Sequence, residues 1–307
     1  MATILELAKL TEEEAREMIE KARWPNGPEC PHCGSKNAVR LEGESTRPGV
    51  LRCRDCRKQF TVTVNTIMHR SKLPLSKWVM AFHLMCSSKK GISALQLQRE
   101  LGLGSYQTAW HMAHRIRYAM NAGGLAAPLK GDVEVDETYI GGKPRKGSRQ
   151  PSRPGRGTKK QPVMALVERN GEARAHVVPD VSGATLQRLI RESVDRQARI
   201  LTDEWSGYYG IGMSFVGGHE TIKHGAGEYV CGDVYTNTAE SFFALLKRGM
   251  VGVFHSVSKR HLWRYADEFT FRWNYRKVGD HERMLIALAN VGGKRLTYRP
   301  AVGLSHE

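Results

Sequence analysis

Four cysteines in two closely spaced pairs constrain the fold of the N-terminal part more than any other feature. Cys30 and Cys33 form one C-x2-C pair, Cys53 and Cys56 form the second, and positions 34–52 separate them. Two such pairs suit one tetrahedral Zn²⁺ ion, because each turn presents two thiolates to the same ion. Strand-forming residues flank the second pair, so the spacing predicts a zinc ribbon with a closed, structural site. Four free cysteines are the less favoured alternative.

The charge balance points to a polyanionic partner. The 307 residues include 47 Lys and Arg against 31 Asp and Glu, a formal net charge of +16. Each phosphate that such a surface neutralises releases counterions, so the excess favours nucleic acid. The sequence has no apolar run near the roughly 18 residues of a membrane-spanning helix, and its glutamate-rich N-terminus is unlike a secretory signal. We expect a cytoplasmic protein without membrane association, in which cysteine pairs bind metal.

The order of the predicted elements defines the fold class. Strand alternation over 131–140 is followed, after a long loop, by two strands that flank Asn170-Gly171, a strong hairpin signal. A helix, a strand ending at Asp203, a further strand and helices follow. This order predicts an α/β fold in which helices cover a mixed sheet, as in the ribonuclease-H-like fold. The predicted domains are an N-terminal helix and zinc ribbon (1–73), a helical helix-turn-helix-like segment (74–127), a ribonuclease-H-like domain (128–290) and a C-terminal tail (291–307).

The segment 92–120 has the pattern of a helix-turn-helix. Gly102 and Gly104 separate two amphipathic stretches, and the second has an apolar face and a polar, basic face. The polar face supplies four candidate DNA contacts: Gln107, His111, Arg115 and Arg117. An ordinary helical hairpin is the alternative, because short helix–turn–helix geometry is common. The zinc ribbon and the net charge favour the DNA-binding interpretation.

A basic loop interrupts the predicted sheet at 141–162. It contains eight basic residues, no acidic ones and several Gly and Pro, a composition that cannot bury a core. We expect the loop to be mobile and to order on phosphate contact, with Lys143, Arg145 and Lys146 as candidate contacts. A solvated insertion without function is the alternative.

Acidic side chains recur at the ends of the predicted strands. Alternation puts Asp132, Glu134 and Asp136 on one face of the first strand, and Asp203 ends a later apolar strand. Ligands collect at the carboxyl ends of strands in open α/β sheets. Together with Glu240 on a following helix, these acids suggest an oxygen cage for Mg²⁺ or Mn²⁺. Each acid alone is more often solvated, and spacing does not separate Asp132 from Asp136.

The helix predicted over 237–248 has two distinct faces. Asn237, Glu240 and Lys247 fall near one face, while the phenylalanines and leucines occupy another. For an arbitrary helix, a solvated polar face would be the simpler explanation. The strand acids favour a second interpretation, in which this face presents a ligand and a positive charge to a cleft.

Several stretches resemble one known family: CPHC and CRDC, VEVDETYIGG, LTDEWSGY, the block from NTAESFF to RWNYR, and KRLTYR. Together they resemble the DDE-type transposases of bacterial and archaeal insertion sequences that bear an N-terminal zinc ribbon. The resemblance implies a catalytic triad of Asp136, Asp203 and Glu240, and it selects Asp136 over Asp132. It further implies that Lys247 lies near DNA and that Asn237 is an auxiliary or rival metal ligand.

The resemblance also implies an activity. Such an enzyme binds the inverted repeats at the ends of its element, cleaves DNA strands and joins 3′ ends to target DNA by two-metal phosphodiester chemistry. Because two ends must be brought together, it implies a homodimer or a higher oligomer on double-stranded DNA. Two alternatives are a zinc-ribbon DNA-binding regulator without catalysis and a structure-specific nuclease of the same fold.

The C-terminal block mixes arginines with aromatic residues at helical spacing. The aromatic residues are expected to form core, which leaves the basic residues as candidates for DNA contact. These candidates are Arg248, Arg264, Arg272 and Arg276.

Overall fold

A computed structural model describes residues 3–121, 127–142, 158–222 and 232–297. Two compact units make up the chain: unit 1 comprises Met1–Ala122 and Lys277–Glu307, and unit 2 comprises Gly123–Arg276. The predicted boundary at residue 290 is wrong, because the chain returns to unit 1 at Lys277. The predicted ribbon and helical segment likewise belong to one unit.

The described residues contain nine α-helices and eight β-strands. The helices are α1 (Ile4–Leu7), α2 (Glu12–Arg23), α3 (Leu75–Ser87), α4 (Ala94–Glu100), α5 (Tyr106–Met120), α6 (Gly183–Ser193), α7 (Asn237–Gly249), α8 (Leu262–Asn274) and α9 (Asp280–Ala289). The strands are β1 (Ala38–Arg40), β2 (Leu51–Cys53), β3 (Gln59–Phe60), β4 (Asp132–Ile140), β5 (Gln161–Glu168), β6 (Ala173–Val177), β7 (Arg199–Asp203) and β8 (His219–Ile222). Within the described residues, no helix has the length and apolar character needed to cross a membrane.

Unit 1 combines a small antiparallel sheet with a helical core. Strands β1, β2 and β3 pair in sequence order, as expected for a ribbon. Helix α9 packs against α3 and α2, which explains why the chain returns to this unit. The predicted helix-turn-helix pattern forms α4 and α5, each started by a serine cap, Ser93 and Ser105, whose hydroxyl accepts a backbone N–H. Between them Gly102 adopts a left-handed φ of 58°, which glycine tolerates without steric cost.

Unit 2 is built on a five-stranded mixed sheet in the order β6-β5-β4-β7-β8. Strands β6, β5 and β4 are antiparallel neighbours, whereas β4, β7 and β8 run parallel. The predicted α/β, ribonuclease-H-like architecture is confirmed. The hairpin between β5 and β6 turns at Asn170, whose φ of 62° is left-handed.

Helices cover both faces of this sheet, and the alternation along β4 decides which residues meet which helix. Val133 and Val135 are buried in the core that α6 covers. The opposite face packs under α7 and α8, with Val163 of β5 against Phe242 and Phe269. Because successive strand side chains point to opposite faces, Glu134 and Asp136 face the α7 side.

Candidate active site

The four predicted cysteines lie together in unit 1. The Sγ atoms of Cys30 and Cys56 are 3.6 Å apart, as are those of Cys33 and Cys53, and all four lie within 4.8 Å of one another. Zn–S bonds of about 2.3 Å in a tetrahedron require S···S distances of about 3.8 Å. The cluster therefore fits one structural Zn²⁺ ion, in agreement with the prediction.

Tight turns shape each cysteine pair for metal binding. Gly34 and Arg57, the residues that follow the two pairs, both have a left-handed backbone, with φ of 76° and 59°. In the second turn, the N–H groups of Cys56 and Asp55 lower the pKa of the Cys53 thiol to about 7. The thiolate is the form that binds metal, so the backbone of this turn favours the ligand form of Cys53.

Two of the predicted carboxylates lie on neighbouring parallel strands in unit 2. In the register of β4 and β7, Glu134 is opposite Leu201. Asp136 and Asp203 each come two residues later, so the two acids are level at the carboxyl end of β7. Ligands collect at this end of parallel strands in open α/β sheets.

The third predicted carboxylate, Glu240, is carried by α7. Its side chain is exposed in the first turn of the helix, which begins at Asn237. Phe242 is fully buried in the core beneath the helix, so the opposite face of α7 is free to carry polar groups. Lys247 is exposed, and both it and Glu240 act electrostatically on Asp136.

The pKa of Asp136 reflects both its burial and the charges around it. Burial, the largest cause, and the charges of Asp203 and Glu240 raise this pKa to about 6, against the N–H of Glu137 and the charge of Lys247, which lower it. A divalent cation among these oxygens would offset both burial and mutual repulsion, and carboxylates are the ligands that Mg²⁺ and Mn²⁺ prefer. The donor set therefore fits Mg²⁺ or Mn²⁺.

The acids are spaced more widely than the thiolates. Among the described residues, the four cysteines are the one group of three or more His, Cys, Asp or Glu side chains whose ligand atoms all lie within 4.8 Å of one another. At least one pair among Asp136, Asp203 and Glu240 therefore exceeds that distance.

A buried tyrosine beside the acids was missed by the sequence interpretation. Tyr208 is fully buried and donates its hydroxyl to Glu137, the residue after Asp136. Burial, reinforced by the charge of Glu137, raises the pKa of Tyr208 well above its usual value. The phenol therefore stays protonated and fixes Glu137 on the α6 side of β4. The alternation of β4 indicated that Glu137 faces away from Asp136, but it gave no sign of the tyrosine.

The predicted DNA contacts on α5 differ in exposure. Gln107 is exposed, and it lines a cavity of about 190 Å³ together with His111, Arg115 and Trp78. Arg117 is only 1 % exposed, so its prediction as a DNA contact is wrong. The helical pattern identified the basic residues but could not show that the core of unit 1 covers the last turns of the helix.

The arginines predicted on the C-terminal block also separate by burial. Arg248 and Arg276 are exposed. Arg264 and Arg272 are 1 % and 6 % exposed, and Arg272 forms an ion pair with buried Glu268 at 2.6 Å. The predictions of Arg264 and Arg272 as DNA contacts are therefore wrong, because neither guanidinium has surface to offer.

Two further basic positions emerge from the structure. Lys259 and Arg260 are exposed in the turn that precedes α8, and neither was selected from the sequence. The adjacent cations in SKRH (258–261) are the sequence signal that could have found them. The predicted contacts Lys143, Arg145 and Lys146, with most of the basic loop, lie outside the described residues.

Comparison with known families assigns the chain. The ISXO2-like transposase domain matches residues 128–274, which contain the sheet and all three acids. The transposase zinc-ribbon domain matches residues 10–59, which contain the four cysteines. The chain belongs to this family of insertion-sequence transposases, as the resemblance predicted.

A curated relative supports the same assignment. The chain is 32% identical over 284 residues to a protein described as an uncharacterized protein in transposable element ISH50, from Halobacterium salinarum. The match covers 88% of this chain and 94% of the relative. The similarity therefore extends over both units and not only over the matched domains.

Proposed function

We propose that the protein binds the inverted repeats at the ends of its element, cleaves DNA strands there and joins the 3′ ends to target DNA. Asp136, Asp203 and Glu240 hold divalent metal, Mg²⁺ or Mn²⁺, with Asn237 as an auxiliary ligand. The observation that carries the proposal is the position of Asp136 and Asp203, level on neighbouring parallel strands at the carboxyl end of β7, with Glu240 on α7 near enough for its charge to act on Asp136.

The residues around the acids have separate tasks. A pair of bound divalent ions supplies activation of the attacking oxygen and stabilisation of the leaving oxygen. Asp136 and Asp203 would hold the metal from the rigid sheet, and Glu240 would contribute its carboxylate from α7. Lys247, on the same helix face, offers a positive charge to a DNA phosphate near the acids.

The proposed reaction balances without a covalent enzyme intermediate. In cleavage, a water oxygen bonds to the phosphorus, the bond to the 3′ oxygen breaks, and that oxygen takes up a proton. The products are a 3′-hydroxyl and a 5′-phosphate. In joining, this 3′-hydroxyl attacks a phosphodiester of the target, loses its proton and displaces the target's own 3′ oxygen.

DNA binding is proposed to involve both units. On unit 1, Gln107 is the exposed candidate on α5, and His111 and Arg115 are partly exposed beside it. On unit 2, the exposed cations around α7 and α8 are candidates for phosphate contact: Lys247, Arg248, Lys259, Arg260 and Arg276. Because two ends must meet before joining, we propose a dimer or a higher oligomer on DNA.

The test uses duplexes that carry the inverted repeats flanking the gene, with and without a target plasmid, in Mg²⁺ or Mn²⁺. We expect metal-dependent strand cleavage and transfer to the plasmid by the native protein. Asp203→Asn should lower cleavage by about 10³-fold or more, about 4 kcal/mol in activation free energy, while end binding stays within a few-fold. Glu204→Gln, which changes the adjacent exposed acid, is the matched control and should retain cleavage.

Each other outcome has a defined meaning. End binding without cleavage by the native protein in either metal would favour a DNA-binding regulator. Cleavage that never leads to joining would favour a nuclease of the same fold. Full activity of Asp203→Asn would refute the proposed metal site.

A further inference from the structure

Helix α7 begins without a capping side chain of its own. Its N-cap residue, Thr236, makes no side-chain cap hydrogen bond, although the first backbone N–H groups of a helix need partners. The partner comes from the sheet. The carboxylate of Glu134, on β4, accepts the N–H of Thr238 at 2.7 Å, the N–H of Ala239 at 3.0 Å and the Thr238 hydroxyl at 2.9 Å.

Glu134 is completely buried, and an arginine compensates its charge. Arg169 Nε donates to Glu134 at 2.8 Å. The same guanidinium donates to the carbonyls of Asp233 and Tyr235 at 2.7 and 3.0 Å and lies 3.7 Å from the centre of the Tyr235 ring. One ion pair, with Glu134 buried and Arg169 nearly so, therefore fixes both the first turn of α7 and the segment that leads into it. Buried pairs of this kind persist only with such complete hydrogen bonding.

Short stretches of backbone connect this network to two of the proposed metal ligands, Asp136 and Glu240. Glu134 precedes Asp136 by two residues on the same face of β4, a separation of about 7 Å along the strand. Ala239, whose N–H Glu134 accepts, directly precedes Glu240. The position of Glu240 relative to Asp136 thus depends on the carboxylate of Glu134.

We propose that Glu134 is a positioning residue that sets the spacing between Asp136 and Glu240. It does so through its hydrogen bonds to the first turn of α7, which we call the Glu134 clasp. This inference rests on the proposed function, because it assumes that the two acids share divalent metal. The rest of α7 has separate anchors, since Phe242, Phe243 and Leu246 are buried in the core. Loss of the clasp should therefore release the first turn while the helix stays docked.

The test compares Glu134→Gln with a matched variant, Glu268→Gln. Glu268 is also completely buried and pairs with an arginine, Arg272, but both lie within α8. Mn²⁺ binding is measured by electron paramagnetic resonance, counting only the binding that Asp203→Asn removes. Glu134→Gln should raise the dissociation constant by about tenfold or more, as losses of outer-shell partners do, and Glu268→Gln should leave it within about twofold. Hydrogen exchange of residues 237–242 should be faster in Glu134→Gln only.

The outcomes separate this inference from the proposed function. An unchanged Mn²⁺ dissociation constant for Glu134→Gln, or an equal rise in both variants, would overturn the positioning role and leave the metal site standing. Absence of Asp203-dependent Mn²⁺ binding in the native protein would overturn the proposed function and this inference with it. Faster exchange in that case would still identify the clasp as a structural feature of α7.

Discussion

The four cysteines of unit 1 come from residues 30–56, whereas the three acids of unit 2 come from residues 136–240. The thiolates lie in a cluster with sulfur pairs 3.6 Å apart. Asp136 and Asp203 are level on two neighbouring strands and Glu240 is carried by a helix, and the three acids are spaced more widely than the thiolates. The two sets differ in what brings them together: two short turns for the cysteines, and a complete sheet with its covering helix for the acids.

The two sites differ in whether the metal ion or the apolar core supplies the free energy that assembles them. A short ribbon buries little apolar surface, so bound zinc supplies folding free energy there. In unit 2 the core forms from apolar residues, and it holds Asp136 where burial and neighbouring charge raise its pKa to about 6. In the first site the ion stabilises the fold. In the second site the fold brings the proposed ligands together at a cost, which a bound divalent ion would offset.

The largest expected effect is the loss of a zinc ligand. Cys53→Ser should unfold the ribbon, because zinc binding to such sites is worth about 10–16 kcal/mol and is coupled to folding. The measurements are zinc content by atomic absorption and backbone amide dispersion by nuclear magnetic resonance. We expect weaker binding to the element ends to accompany the change, because the ribbon belongs to the same unit as the candidate DNA contacts on α5.

A matched control is available in the same unit. Cys86 is completely buried but lies outside the four-cysteine cluster, so Cys86→Ala should retain one zinc per chain and an ordered ribbon. If Cys53→Ser kept a folded ribbon without zinc, the contrast between the two sites would disappear.

The second effect is smaller and of opposite sign. Asp136→Asn should stabilise the protein in Mg²⁺-free buffer at pH 7 by about 2 kcal/mol, less than the full shift in pKa implies because the carboxyl is not fully buried. The pKa of Asp136 in the folded state, about 6, lies above the ordinary 3.8, so the folded state binds more protons between these values. The free energy of unfolding of the native protein therefore falls as pH rises from 4 to 6. The substitution removes that fall.

Denaturant unfolding of both proteins at several pH values checks this sign. The stability difference should be greatest at pH 7 and should vanish below pH 4, and added Mg²⁺ should stabilise the native protein alone. No chelator is used, so that zinc is retained. A lower stability of Asp136→Asn at pH 7 would mean that the carboxylate stabilises the fold, as a cysteine ligand does.

The sequence predicted the cysteine site completely and the acid site only in part. The spacing of Cys30 to Cys56 is local, so the chemistry and the geometry are both present in the pattern. For the acids, alternation assigned a face of β4 but could not rank its members. The structure gives each acid a different role. Asp132 accepts from Arg199 at 2.9 Å and lies 3.4 Å from Arg169, Glu134 accepts from Arg169 and from the first turn of α7, and Asp136 is level with Asp203.

The failures have a common physical origin. Helical periodicity shows that a basic residue lies on a given face, but it does not show whether another layer covers that face. Arg117, Arg264 and Arg272 lie on such faces, and other parts of the fold cover them. The same limit affected the domain boundary. The pattern of α9 is amphipathic, but it does not reveal that α9 packs against α3.

The smallest expected effect tests whether the ribbon has an equivalent of the Glu134 clasp. Asp55 joins the two cysteine turns, since its carboxylate accepts from Ser35 Oγ and from Asn37 Nδ2, the latter at 2.8 Å, and these bonds hold its pKa below the usual value. The bonds are exposed, and zinc already links the same turns. Asp55→Asn should therefore change zinc affinity by less than about threefold, as measured by chelator competition. A tenfold loss would show that side-chain contacts, and not the ion alone, assemble the ribbon, and the two sites would then differ in degree only.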